Sequence, residues 1–300
     1  MVVSVSFVAW FIHLFSDVGF DLFVPLLNLP VWLVCFVFLG LLLTYVLRGW
    51  RVAFEFRSHS KITLLNSIQI VLWHNASVNA LPFRSGELAF PLLLQRIAGV
   101  PLVHSTASLI HFRIQDASVI VFLCIALLPE LGIALKVSLF CFLLILGWTF
   151  SKWLHRPHDW HESTSVLKRK AALFREAIVM ANPQAAWSWL LTICNWTVKI
   201  SLQALLYVHL VDTEFGSGVM ATVFSEAASF SPVQGIAGFG TFEVSSALAI
   251  YSQGVSWSES LQAAAQVHLV LLVSAFFWAW VGWIVSKFTQ KKIDDALNII

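Results

Sequence analysis

A few ionisable residues of this chain lie inside long apolar stretches, where they are costly to keep. Glu87 and Glu243 each follow a glycine-containing break: Leu81-Pro82-Phe83-Arg84-Ser85-Gly86-Glu87 in one, and Ser231-Pro232 through Gly235, Gly238 and Gly240 to Glu243 in the other. A carboxylate at the start of a short helix meets free N–H groups and the positive end of the helix dipole, a capping role worth about 0.3–1 kcal/mol when exposed. At membrane depth an acid costs about 2.5–3.5 kcal/mol on insertion scales and is by default a candidate for function, here binding a cationic headgroup or relaying a proton. Both readings stand for each residue. Arg84 lies in the turn that opens the second half of the first break, so its guanidinium and free backbone donors could grip a phosphate together. The alternative is an interfacial arginine that snorkels. Arg113 and Asp116 stand one turn apart and fit a structural ion pair, with Arg113 also able to extend a phosphate site. Asn195, Lys199 and Gln203 recur every four positions and share one helix face, which must point inward because Lys199 cannot face lipid cheaply. The bland reading of that stripe is interhelical hydrogen bonding. Glu226, Asn75 and Asn79 are weaker lining candidates, and Arg96 reads as an interfacial anchor.

Other patterns carry less. His155, His158 and His161 have a spacing that invites zinc, but Pro157 interrupts the helix that would align them and no fourth ligand has a clear claim, so no metal is assigned. Cys35, Cys124, Cys141 and Cys194 are scattered in apolar runs without a CxxC pair and read as small hydrophobes. No Walker loop, dinucleotide fingerprint, HExxH or GxSxG string occurs, so no catalytic residue and no cofactor is expected.

The elements that position these residues follow from composition. Of 300 residues, 59% are hydrophobic and 11% charged, with a formal net charge of +2. The mean hydropathy is +0.82. A soluble domain is about 45–50% apolar and about 25% charged, so this is an all-α polytopic membrane protein, and nothing argues for nucleic acid as a partner. Residues 31–47, 131–150, 187–211 and 265–286 read as spans, residues 1–16 as a short first span without the basic opening of a signal peptide, and a further span starts near His104 and ends at Pro129. Basic residues cluster at Arg48, Arg51, Arg57 and Lys61, at Lys152 to Arg175, and at Lys287, Lys291 and Lys292. Those clusters mark the cytoplasmic side and place both termini there. The loop at 151–186, with Lys168-Arg169-Lys170 and an amphipathic stretch at 171–180, suits anionic headgroups.

With that parity, residues 62–103 must leave and re-enter the cytoplasmic side, and residues 217–258 the opposite side. Both are expected to be re-entrant helical hairpins, added to about six full spans in one membrane domain, with 1–150 and 187–300 as its halves. Broken backbone survives at membrane depth only where protein or a wet cavity satisfies it, so the two breaks should meet. Pro82, Gly86, Glu87 and Gly99-Val100 align with Pro232, Gly240, Glu243 and Gly254-Val255, followed by His111 and His268. This is an inverted repeat of the kind that builds secondary transporters.

In this order the motifs resemble the transmembrane region of lysylphosphatidylglycerol synthases. Leu47-Arg48-Gly49-Trp50-Arg51 is similar to the family's basic-Trp end of an early span, and Asn79 to Glu87 to its Asn, Leu-Pro, Arg, Gly-Glu signature. Arg113-Ile114-Gln115-Asp116 resembles its Arg-x-x-Asp element, and Pro232, Gly238, Gly240 and Glu243 its Pro, Gly-x-Gly, Glu element. The second break is longer than the family's, and His111 and His268 stand where basic or polar residues are typical. The resemblance implies a bacterial or archaeal cytoplasmic-membrane protein that handles lipid, since in fused relatives this region is associated with moving aminoacylated phospholipid between leaflets. The expected function is a lipid translocase for a phospholipid or lipid-linked phosphate, with a lipid-modifying enzyme as a candidate partner. The alternatives are an integral-membrane transferase acting on a lipid-linked substrate and a non-catalytic partner of such an enzyme. Synthesis is not expected, because the sequence leaves no room for the aminoacyl-transferase domain. Arg84, Glu87, Arg113, Asp116, Lys199, Gly238, Gly240 and Glu243 are the expected site.

Overall fold

A computed structural model describes residues 24–57, 62–156, 185–231 and 235–297, together with scattered positions between 165 and 179. The described residues form an all-helical bundle. After a single helical turn at Val24–Leu27, the longer helices in chain order are α1 (Val31–Phe56), α2 (Leu64–Ala80), α3 (Ala89–Ala98), α4 (Leu102–Leu127), α5 (Ile133–His155), α6 (Ala185–Val211), α7 (Phe215–Ala228), α8 (Thr241–Tyr251) and α9 (Trp257–Leu297). Short 3₁₀ segments at Pro82–Leu88 and Ile236–Gly238 interrupt α2–α3 and α7–α8. Among the described residues five helices, α1, α4, α5, α6 and α9, are long and apolar enough to cross a membrane. The chain is a multi-pass membrane protein. The expected span at 1–16 lies outside the described residues, as do His158, His161, Lys168 to Lys170 and Pro232.

Local sequence explains the punctuation. Thr63 caps α2 by accepting the Asn66 N–H at 3.2 Å. Pro82 then ends the helix by holding Leu81 extended, at φ −101° and ψ 138°. Gly99, at φ 67°, closes α3 while its N–H and that of Val100 return to Gln95 and Leu94 carbonyls. α1 differs from expectation. Nothing in Arg48-Gly49-Trp50-Arg51 stops the helix, so it runs to Phe56 and carries two arginines inside the bundle instead of ending at residue 47. α9 likewise begins at Trp257, eight residues before the expected start at 265.

α1 packs on α2 and α6, α6 on α7, α7 on α8 and α4, α8 on α9, and α9 returns to α2, while α3 leans on α2 and α4. Two helix crossings use glycine for close approach. A Cβ at Gly49 would stand 2.9 Å from the Ile68 Cα, and one at Gly218 would stand 2.7 Å from the Ala204 carbonyl oxygen. Two main apolar clusters hold the bundle. Leu33, Val37 and Leu41 of α1 pack with Leu206, Tyr207, Ile250 and Val267. Further along α1, Val52 and Phe56 pack with Ile70, Val71, Phe90 and Leu94. Between these clusters the lining turns polar. α5 has no buried side chain and contacts chiefly α4, which leaves residues such as Phe142 and Ile145 on its apolar outer surface.

Candidate functional site

Glu87 is the hub of the first break. Its Oε1 accepts from Arg84 Nη2 at 2.8 Å and lies 2.7 Å from Arg113 Nη2. Its Oε2 accepts from Arg113 Nε at 3.3 Å and stands 3.1 Å from His74 Nε2. A side chain so bound is more than a cap. The turn that presents it is tightly specified, because a Cβ on Gly86 would fall 2.2 Å from the Ser77 carbonyl oxygen, inside its van der Waals shell. Arg84 takes φ 53°, a left-handed conformation that a non-glycine residue adopts at a cost of about 1–3 kcal/mol. Its guanidinium explains what holds it there: besides Glu87, Nη1 donates to the carbonyl of Ser229, at the end of α7. Arg84 therefore ties the first break to the helix leading into the second, and the two 3₁₀ segments are in contact.

Asp116 and Arg113 stand on one face of α4, yet each has a nearer partner than the other. Their own contact is 3.9 Å. Arg51 instead grips Asp116 with Nη1 to Oδ1 at 3.0 Å and Nη2 to Oδ2 at 3.3 Å, while Trp196 Nε1 donates to Oδ1 at 3.3 Å. Arg51 also donates to Thr192 Oγ1 at 2.5 Å and lies 4.4 Å from the Phe112 ring centroid. The expected local pair is present, and a closer cross-helix pair with Arg51 is added to it. One turn of helix brings Arg113 and Asp116 near enough to interact, but α1 and the first break deliver better-placed partners.

In the second half, Glu243 Oε2 accepts the Gly240 N–H at 2.7 Å, which is half of a capping box, since glycine has no side chain to reciprocate. Glu243 Oε1 lies 2.6 Å from His268 Nδ1, and the imidazole is flanked by Phe239 and Phe242 at ring centroids of 4.7 and 4.4 Å. Gly238 and Gly240 take φ 86° and 92°, a backbone that side chains resist, so this turn needs glycine at both positions. On the α6 stripe, Lys199 Nζ is 2.6 Å from Glu226 Oε1 and Gln203 Nε2 donates to the same oxygen at 2.8 Å. Asn195 and Lys199 line the cavity described next, and Gln203 is fully buried.

All of this surrounds a cavity of about 170 Å³. Its wall takes Arg48 from α1, Asn75 and Asn79 from α2, Arg84 from the first break, Arg113 and Asp116 from α4, Lys199 from α6, Glu226 from α7, Gly238 from the second break and His268 from α9. Buried charge on this scale at a helical-bundle interior is expensive and is kept only where it is paired or used. A model described as Lysylphosphatidylglycerol synthase TM region matches residues 1–279. The chain belongs to that family. No curated protein and no solved structure matches it. Family membership makes it a membrane protein associated with lipid modification or translocation, and links it to phospholipid lysylation without identifying a partner.

Of the family-type motif residues, Arg84, Arg113, Asp116 and Gly238 line the cavity, Glu87 sits behind it on the two arginines, and Gly240 and Glu243 sit behind His268. Sequence reasoning missed Arg48, Arg51, His74 and Trp196. From the sequence Arg48 and Arg51 look like cations at the end of a span, whereas α1 continues to Phe56 and carries both into the bundle. His111, the residue expected to match His268, meets Gln115 at 3.2 Å, whereas His74 provides Glu87 with the imidazole that His268 provides Glu243. The signal available was the pairing of each break's glutamate with one histidine, irrespective of order along the chain.

Proposed function

We propose that this protein is a lipid translocase in which a phosphate headgroup enters the polar seam between the two breaks while its hydrocarbon tails stay in the bilayer. The observation that carries this reading is the cavity itself, where Arg48, Arg84, Arg113 and Lys199 converge from four separate elements on one volume. Guanidinium groups are suited to phosphate oxygens because they donate in a planar fork. Arg84 would hold the headgroup directly, Arg113 would widen the site, and Glu87 would fix both cations in place. Glu243 with His268 would bind a cationic group or pass a proton.

The reading treats residues 1–300 as one membrane domain of the cytoplasmic membrane, with both termini on the cytoplasmic side and with α2–α3 and α7–α8 as re-entrant hairpins of opposite entry. Each half runs long helix, shorter helix, 3₁₀ break, short helix, long helix. The contact between α2 and α9 has its counterpart in that between α7 and α4. That exchange is what a pseudo-two-fold axis would produce, and inverted repeats put their sites on such an axis near the midplane. Vesicles reconstituted with the protein and carrying fluorescent anionic phospholipid test the function by the fraction accessible to an impermeant quencher. Wild type should equilibrate the leaflets faster than empty vesicles. Arg84→Ala and Glu243→Gln should slow it; equal rates in folded variants contradict the mechanism.

A further inference from the structure

The charge and size of the cavity specify the headgroup further, on the basis of the translocase reading. Five cations lie on its wall or one ion pair behind it: Arg48, Arg51, Arg84, Arg113 and Lys199. Three carboxylates answer them: Glu87, Asp116 and Glu226. Glu87 is shared by Arg84 and Arg113, Asp116 is taken by Arg51, and Glu226 by Lys199. Arg48 is left over. Its guanidinium donates to the Asn75 amide oxygen, at 3.4 Å, and the carboxylate whose charge it feels, Asp116, is already held by Arg51; among the described residues none is paired with Arg48 within 4 Å. The Glu243–His268 pair is neutral when the imidazole is doubly protonated and contributes one negative charge when it is not. The wall therefore carries a surplus of one to two positive charges at the place where Arg48, Arg84 and Arg113 face the same volume.

We infer that the ligand is a terminal phosphate monoester, compact and unsubstituted, and not a phosphodiester bearing an aminoacyl group. A monoester carries about −1.5 to −2 at pH 7 and offers three terminal oxygens, which suits a surplus of that size and more than one guanidinium. A lysylated phosphatidylglycerol headgroup has a net positive charge and would add like charge to an unneutralised arginine. Size agrees with charge, since about 170 Å³ is below the roughly 300–1,000 Å³ of pockets that enclose drug-sized ligands. A bare phosphate is admitted more readily than glycerol plus lysine. The monoester can be borne by a lipid, as in phosphatidate or a polyprenyl monophosphate, or be free in solution.

Two readouts on the full chain test this. In detergent, competition by native mass spectrometry between phosphatidate, phosphatidylglycerol and lysyl-phosphatidylglycerol should favour phosphatidate at least tenfold over either diester. Inorganic phosphate and glycerol 3-phosphate are added as competitors: failure to displace phosphatidate at millimolar concentration assigns the lipid-borne source, and displacement assigns the soluble one. Arg48→Gln should reduce the preference to threefold or less without changing elution or thermal unfolding. Equal binding of the diesters, or tighter binding of the lysylated lipid, overturns the inference whether or not the variant folds. In vesicles, movement of phosphatidylglycerol or its lysyl ester faster than phosphatidate overturns it while leaving the translocase reading intact. Movement of no lipid, with phosphatidate still preferred in binding, removes translocation and leaves the headgroup assignment standing.

Discussion

Removing the carboxylate of Asp116 should destabilise the bundle strongly, and the effect should depend on Arg51. Both side chains are buried, at 5% exposure for Arg51 and 7% for Asp116, and their two contacts are bidentate. Asp116→Ala would leave the guanidinium with the Thr192 hydroxyl and the Phe112 ring, while its Nε has no hydrogen-bond partner among the described residues. Breaking a buried pair by deleting one partner costs about 3–5 kcal/mol, because the remaining charge stays buried. At about 2 °C per kcal/mol, the low end suited to a long chain, the apparent unfolding temperature in detergent should fall by about 6–10 °C. Replacing both charges by apolar residues, Arg51→Met with Asp116→Leu, removes the guanidinium that Asp116→Ala would orphan and should recover more than half of that loss. The assay is thermal unfolding followed by tryptophan fluorescence, which is sensitive here because Trp196 donates to Asp116. A single-variant shift below about 2 °C, or a double variant less stable than Asp116→Ala, would refute the claim that this pair is buried and coupled.

Three further outcomes follow from the same geometry. Gly86→Ala should abolish a stable fold or lower unfolding by several degrees, because its Cβ meets backbone at 2.2 Å, whereas Gly147→Ala, with nothing within 4 Å, should be neutral in the same scan. Lys199→Met should destabilise more than Lys199→Met with Glu226→Gln, since Glu226 would otherwise retain only Gln203 as a neutral donor, and a double-variant unfolding cycle measures the difference. Glu243→Gln should weaken both the Gly240 cap and the His268 contact. Histidine NMR of the detergent-solubilised protein should then show the His268 ring shifting while His209, on the outside of α6, stays in place.

Much of the helical fold was readable because lipid makes apolar length informative. The stretches 131–150 and 187–211 correspond to α5 and α6 within a few residues, and the break at Leu81-Pro82 falls where the proline forces extended backbone. What was not readable was partner choice. The spacing of Arg113 and Asp116 permits a local ion pair, and nothing in the sequence says that Arg51, 65 residues earlier, is the closer cation. The same blindness hides the place of Arg48 on the cavity wall. A run of basic residues after an apolar stretch looks interfacial, and only the continuation of α1 to Phe56 turns that arginine toward the cavity. Ser229 illustrates a further limit, because its contribution to Arg84 is a backbone carbonyl, which residue identity does not reveal.

A translocase of this kind requires the two breaks to meet at membrane depth around a cationic cavity. Site-directed nitroxides at Ser85 and Phe239, in a chain with Cys35, Cys124, Cys141 and Cys194 replaced, test it through depth-dependent collision with oxygen and a water-soluble nickel chelate in lipid vesicles. Both labels should report depths well inside the bilayer, and a doubly labelled chain should show dipolar broadening from their proximity. Labels that report bulk water at opposite membrane surfaces, with no broadening between them, would contradict it.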